Sequence, residues 1–207
     1  MDNENENKMC GCEDYFEPRI GSAIPSYKIK VFHNEALKTI DIKDFKDKWL
    51  ILFFYPADFT FVCPTELEDM AEKYEEFQKL GAEIVSISTD TVFVHKAWHD
   101  TSEAVKKIKF PMAADMSGDL SSMFNVLIEE GEDAGLALRG TFIIDPKGVI
   151  RSIEVNDNSI GRNVDELFRK LQAAKYVYDH GNLEVCPARW KPGEETLKPG
   201  LDLVGKI

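Results

Sequence analysis

A chain of 207 residues and 23.5 kDa, 43% hydrophobic and 30% charged, has the size of one globular domain with room for an appended arm. Its net charge of -12 excludes nucleic acid and anionic membrane surfaces as natural partners, because both would repel it. The acidic, polar start Met1-Asp2-Asn3-Glu4-Asn5-Glu6-Asn7-Lys8 lacks the basic and apolar regions of a secretory signal, and no apolar run approaches the roughly 18 residues of a membrane span, so a soluble, cytoplasmic protein is expected.

In chain order, residues 1–14 read as a disordered tail, and from Pro25 the pattern becomes periodic. Tyr27-Lys28-Ile29-Lys30-Val31-Phe32 alternates polar and apolar, as a half-buried strand does, and Trp49 to Tyr55 is apolar throughout, as a fully buried strand is. From Pro64 the apolar positions Leu67, Met70, Ala71, Tyr74, Phe77 and Leu80 recur at helical spacing, and Gly81 supplies the stop. Ala82 to Ser88 reads as the next strand, Val92 to Val105 as a helix, Phe110 to Asp115 as a short extended piece and Leu120 to Phe124 as a short helix. Thr141 to Asp145 and Val149 to Ile153 flank Pro146-Lys147-Gly148 as a hairpin. A helix over Val164 to Tyr178 follows, with Val164, Leu167, Phe168, Leu171, Ala174 and Tyr178 on one face. Alternating strands and helices with one hairpin predict an α/β fold with a mixed sheet, in a single domain over residues 15–180. Beyond Gly181, Cys186-Pro187, Lys191-Pro192-Gly193 and Lys198-Pro199-Gly200 break regular structure, so residues 181–207 read as an extended arm. Its apolar end, Leu201 to Ile207, is expected to dock on something.

Four cysteines, Cys10, Cys12, Cys63 and Cys186, are too few and too scattered for a disulfide-stapled scaffold. Cys10-x-Cys12 has one residue between its thiols, and His33, His95, His99 and His180 form no ligand-like grouping with it, so no metal is expected. Cys63 stands apart from the rest. It follows the buried strand and opens a helix: Pro64 suits the first helical position and Glu66 puts negative charge in the first turn, which leaves Cys63 at the cap. The positive end of a helix favours a thiolate, the nucleophilic form of sulfur. An ordinary thiol with a pKa of about 8.5 is roughly 3% ionised at pH 7, and raising that fraction to about 90% takes roughly 3.4 kcal/mol. One exposed helix terminus supplies less than that, so a second cation is expected beside the sulfur. The competing reading is a buried, inert cysteine at a strand–helix junction.

The site lacks the second thiol of a thioredoxin Cys-x-x-Cys, having Cys63-Pro64-Thr65-Glu66 instead. Pro56-x-x-x-Thr60-x-x-Cys63 resembles the active-site signature of the peroxiredoxins, and Phe53 through Glu66 matches that family residue for residue. The resemblance runs from about Gly21 through Trp98, Leu138-Arg139-Gly140-Thr141-Phe142, Gly161-Arg162-Asn163 and Glu184-Val185-Cys186-Pro187-Ala188, landmarks of the typical two-cysteine type. The end from Leu201 to Ile207 is most similar to the bacterial alkyl hydroperoxide reductase branch.

That resemblance implies a thioredoxin-like fold and a peroxidase acting on hydrogen peroxide and alkyl hydroperoxides without metal, flavin or haem. By it Cys63 is the peroxidatic cysteine, Arg139 the expected cation, Thr60 a hydroxyl beside the sulfur that bonds the peroxide, and Pro56 a shield over the pocket. Glu66 would hold an arginine in place, with Arg162 as a second, supporting arginine and Trp98 as a further landmark. Cys186 would be the resolving cysteine, in the family a bond between subunits, although an intrachain bond stays open on the sequence. A homodimer, commonly gathered into a ring of five dimers, and a dithiol reductant such as a flavoprotein disulfide reductase or thioredoxin are implied as partners. Relatives prone to overoxidation carry a Gly-Gly-Leu-Gly insertion and a C-terminal Tyr-Phe helix; Ser102 to Lys109 contains no glycine, which implies relative resistance to sulfinic oxidation. The other functional classes on such a scaffold are a general thiol-disulfide oxidoreductase, a holdase chaperone or a peroxide sensor. Cys10 and Cys12 match no role in the family and read as incidental thiols, as an accessory dithiol or, least of the three, as a metal-binding pair.

Overall fold

A computed structural model describes residues 16–206, so Cys10, Cys12, the expected tail at residues 1–14 and Ile207 lie outside the described residues. Strand β1 (Lys28–His33) pairs antiparallel with β2 (Ala36–Asp41) through a turn at Asn34 and Glu35, both at positive φ. Strands β3 (Trp49–Phe54), β4 (Ala82–Ser88) and β5 (Met112–Ala114) are parallel neighbours, with β1 antiparallel on β5. On the other edge of β3, β6 (Arg139–Ile144) runs antiparallel and β7 (Ile150–Asn156) folds back on it. The resulting seven-stranded mixed sheet has the order β2-β1-β5-β4-β3-β6-β7. Helices α1 (Cys63–Lys79), α2 (Val92–Thr101), α3 (Asp119–Met123) and α4 (Val164–Asp179) connect and flank it.

The central strand explains why its sequence is uniformly apolar. Trp49, Ile51 and Phe53 enter one core with Leu67, Met70, Tyr74 and Phe77 of α1 and Leu167 and Leu171 of α4. Leu50, Leu52 and Phe54 enter the other, with Leu120, Phe124 and Phe142. A strand covered on both faces has no solvated side to write as polar residues. Each of these fully buried side chains contributes about 1.5–3 kcal/mol of transfer free energy, so α1 is held by its apolar stripe. Gly81, at φ 77°, ends α1 in the left-handed conformation that glycine adopts without a Cβ penalty. The architecture is the thioredoxin-like α/β fold that the resemblance implied, and no described helix is long and apolar enough to cross a membrane.

Four details differ from the sequence-based expectation. The edge strand β2 was not anticipated: Ala-Leu-Lys-Thr-Ile-Asp is an exposed to half-exposed run with no apolar face for a pattern to reveal. Helix α1 begins one residue early, at Cys63, with Pro64 second; proline is tolerated there because its missing N–H belongs to the unpaired first turn in any case. Helix α2 ends at Thr101 and not at Val105, because Ser102 turns extended and its hydroxyl accepts the Val105 N–H, starting a separate single-turn 3-10 helix at Val105–Lys107. The arm beyond α4 is not simply extended. Val185 bridges Leu197, Trp190 is buried with its carbonyl accepting from Arg169, and the Tyr176 hydroxyl donates to Glu184, so the first part of the arm lies on α4. The apolar end is another matter: Leu201 and Val204 are 93% and 75% exposed among the described residues.

Candidate active site

The site lies where the chain leaves the C-terminal end of β3. Pro56 is buried, and the backbone then passes through Phe59 at φ 56°, a left-handed residue that turns the loop back toward the start of α1. Trp98 of α2 is buried against this loop, its ring 5.8 Å from that of Phe59 and 6.3 Å from that of Tyr55. It braces the loop through these two rings. The Thr60 hydroxyl donates to the Ala57 carbonyl at 2.9 Å, which fixes the side chain within its own loop and leaves its oxygen lone pairs as acceptors.

Cys63, at the first helical position, is completely buried. Because β6 runs antiparallel to β3, its first residue lies beside the end of β3, and this register carries Arg139 to the cysteine across 76 residues of sequence. Arg139 Nη1 stands 3.4 Å from Cys63 Sγ and donates to Glu66 Oε2 at 2.7 Å. Its Nε and Nη2 both donate to the Asn158 carbonyl, at 3.0 and 2.7 Å, so the fork is clamped on one side and presents its other edge to sulfur.

Glu66, one turn into α1, is the anchor for two arginines and not only one. Arg162 grips both its oxygens through Nε at 2.9 Å and Nη2 at 3.0 Å, adds its backbone N–H at 2.9 Å, and spends Nη1 on the Gly140 carbonyl and the Thr141 hydroxyl. The guanidinium also lies 3.4 Å from the centre of the Phe53 ring, a cation–π contact in a dry setting. Burial opposes ionisation of Glu66, yet the bonds and charge of Arg162 and then the charge of Arg139 hold its carboxyl below the usual range. Burial likewise lowers Arg162, with Glu66 opposing the change. Two guanidiniums and one carboxylate leave one net positive charge beside the sulfur. The hydrogen bonds of both arginines hold that charge in place before any reaction begins.

Cys186 sits elsewhere. Its Sγ is 3.9 Å from the Ala173 carbonyl on α4, in an open cavity of about 490 Å³ bordered by Arg169, Ala173, Val177 and Val185. Burial pushes its thiol up, with the Arg169 charge acting against this. Cys63 and Cys186 are both free thiols.

Behind the loop lies a group of residues that the sequence did not single out. The buried Asp58 carboxylate accepts from the Tyr55 hydroxyl at 2.7 Å and lies 2.8 Å from Nδ1 of the buried His95, whose Nε2 is 3.1 Å from the Ala113 carbonyl. Tyr55 and Asp58 are three residues apart, but His95 lies 37 residues beyond Asp58; the one hint was a histidine three residues before Trp98, on the inward face of α2. Asn158, whose carbonyl aims Arg139, had no signal at all, because a backbone acceptor carries no residue type.

The AhpC/TSA family model matches residues 20–153. Alkyl hydroperoxide reductase C of Salmonella typhimurium is 54% identical over 185 residues, 87% of this chain and 97% of the relative, and that of Bacillus subtilis is 51% identical over 188 residues, 91% and 98%. Among solved structures, the reduced 2-Cys peroxiredoxin of Plasmodium vivax superposes with a TM-score of 0.82 at 31% identity, covering 88% of this chain and 94% of that one. With a matched family model over most of its sheet, relatives of this identity along nearly their whole length, and an arginine-held cysteine at the start of α1, the chain belongs to the AhpC/TSA family and is a peroxiredoxin.

Proposed function

We propose that this peroxiredoxin is a thiol peroxidase that reduces hydrogen peroxide and alkyl hydroperoxides, with Cys63 as the peroxidatic and Cys186 as the resolving cysteine. The observation that carries the reading is Arg139 Nη1 at 3.4 Å from a buried sulfur at the start of a helix. The Cys63 thiolate attacks one oxygen of the peroxide; an S–O bond forms, the O–O bond breaks, and the leaving oxygen departs as water or alcohol after taking a proton. Negative charge moves from sulfur to the leaving oxygen during this step. Arg139 is already in place to receive it, with the Thr60 oxygen as an acceptor for the peroxide hydrogen. Pro56 shields the pocket from water, Glu66 and Arg162 set the direction of Arg139, and Trp98 supports the loop.

The Cys63 sulfenic acid then condenses with the Cys186 thiol, forming a disulfide and releasing water, and a dithiol protein returns both to thiols by exchange. Cys63 is buried, so the first turn of α1 must open locally for that bond to form. The bond joins two subunits in this reading: the exposed Leu201 and Val204 would be covered by the partner of a homodimer, and dimers would gather into a ring. The reductant would be a flavoprotein disulfide reductase, a thioredoxin or a similar dithiol protein, and the compartment the cytoplasm. A domain over residues 15–180 with an arm over residues 181–207 carrying Cys186 matches this division of labour.

The test is rapid-mixing peroxide consumption. Cys63→Ser is expected to abolish it, and Cys186→Ser to preserve the first turnover while losing the intersubunit disulfide. Peroxide consumption retained in Cys63→Ser would overturn the reading.

A further inference from the structure

No spacing in the sequence groups a histidine with other metal ligands, yet the fold assembles such a group away from the thiol. Glu35 stands in the turn between β1 and β2, and His99 and Asp100 are consecutive residues in the last turn of α2. One donor atom from each of the three lies within 4.8 Å of the others. His99 Nδ1 is 3.7 Å from Glu35 Oε1 and 3.9 Å from Asp100 Oδ1. Ligands placed tetrahedrally around zinc at about 2.0–2.1 Å stand roughly 3.3 Å apart, so the imidazole has to close on the two carboxylates by about half an ångström.

Partners outside the three donor atoms decide which atoms face inward. His99 Nε2 is 3.3 Å from the Ile108 carbonyl, and a carbonyl oxygen only accepts, so Nε2 carries a hydrogen and Nδ1 is the atom turned to the carboxylates. A hydrogen bond from Nδ1 would draw one oxygen in to about 2.7–2.9 Å. The observed 3.7 and 3.9 Å are too long for that and fit an ion between the three atoms. Lys96, one turn earlier on α2, takes the far oxygens: its Nζ is 2.6 Å from Asp100 Oδ2 and 3.7 Å from Glu35 Oε2. Each carboxylate is thus held by one oxygen and offers the other, and the imidazole is held by its far nitrogen, the outer support that metal ligands ordinarily have. Two carboxylates and one ammonium leave one net negative charge to draw a cation in.

We propose that Glu35, His99 and Asp100 form a zinc site, with a water as the fourth ligand, that clips the β1–β2 turn to the end of α2. A nitrogen with two carboxylate oxygens suits zinc, whereas calcium and magnesium take oxygen ligands. An open cavity of about 240 Å³, bordered by His33, Glu35, His99 and Lys106, adjoins the group and gives the water room. Zinc has no redox chemistry, so the ion is a brace: it ties down the helix whose Trp98 packs against the loop before Cys63. The proposal is independent of the roles given above to Cys63 and Cys186.

The test uses the full chain with Cys10, Cys12, Cys63 and Cys186 replaced by serine, because thiolates bind zinc and would mask a weaker site. Calorimetric titration with zinc is expected to show one ion per chain. His99→Gln and Glu35→Gln are each expected to weaken binding at least tenfold, and His33→Gln, which alters the neighbouring cavity wall and none of the three ligands, is expected to leave it unchanged. Zinc at about a hundredfold above Kd is expected to raise Tm by about 5–10 °C in the parent and not in His99→Gln. No bound zinc, or equal affinity in His99→Gln and its parent, would overturn the site.

Nitrogen NMR of the His99 ring in the chain with its cysteines intact gives a second decision that no misfolded variant can spoil. Added zinc is expected to shift the Nδ1 resonance while Nε2 keeps its proton on the Ile108 carbonyl. Both ring nitrogens unmoved by zinc, or a shift at Nε2 in place of Nδ1, overturns the proposal. Neither readout involves peroxide, so a failure of the zinc site and a failure of the peroxidase reading are told apart.

Discussion

Arg139→Met replaces the cation beside the sulfur by an apolar side chain of similar length, and its consequences follow from four contacts. At 3.4 Å and an effective dielectric constant of about 20, the attraction between the guanidinium and a thiolate is about 5 kcal/mol. That is an upper bound, because Glu66 Oε2 lies 2.7 Å from the same nitrogen and cancels much of the field. The bond of a charged donor gives the lower bound, about 1.5–3 kcal/mol, or roughly a ten- to hundredfold loss in the second-order rate with peroxide. Folding should survive, since Arg162 still grips both oxygens of Glu66 and leaves no buried carboxylate unpaired. The Asn158 carbonyl does lose both donors, at a cost of about 1–3 kcal/mol, or a few degrees of Tm. The assay is rapid mixing with hydrogen peroxide, read by the fluorescence of Trp98 at the loop or by competition for peroxide. A rate within about twofold of the unmodified chain, in a protein folded at the assay temperature, would refute the claim that Arg139 stabilises the reacting charge.

Arg162→Met should act on stability before chemistry, because it removes the guanidinium fork on Glu66 and the contact with Phe53 while leaving only the backbone N–H bond of residue 162; breaking a buried pair costs about 3–5 kcal/mol, so Tm should fall by roughly 6–20 °C, and an unchanged Tm would contradict the role of this cluster. The carboxyl of Glu66 is held lower in the folded than in the unfolded chain, so its contribution is complete above the ordinary carboxylate range near about 4.3 and is lost as pH falls through its folded value. Urea unfolding across that acid range should show stability dropping with pH, and a flatter dependence in Glu66→Gln; parallel curves would count against it.

Residue periodicity made most of the scaffold legible. The apolar run from Trp49 to Tyr55 is β3 because both of its faces are covered, and the stripe Leu67, Met70, Tyr74, Phe77 is the buried face of α1. The reading was weakest where burial leaves no stripe. Strand β2 is exposed or half-exposed along its length, and α2 stops at a serine whose hydroxyl takes up the next turn, an event with no periodic signature. At the site, local spacing placed Cys63 at a helix start and electrostatic reasoning required a cation near it, but only the family resemblance pointed to Arg139.

The sequence by itself determined the local chemistry: a thiol at the positive end of a helix, a proline and a threonine in the loop before it, and a distant second thiol in an arm rich in proline and glycine. These follow from φ/ψ limits and helix-terminus charge, which act over a few residues. The tertiary structure alone decided how that thiol is surrounded. The antiparallel register of β3 and β6 brings Arg139 to the sulfur, Glu66 turns out to bind two arginines, and Asp58 meets His95 behind the loop. Each of these pairs residues far apart in the chain, and their energies depend on distance and dryness, quantities that exist only once the sheet has closed its two cores.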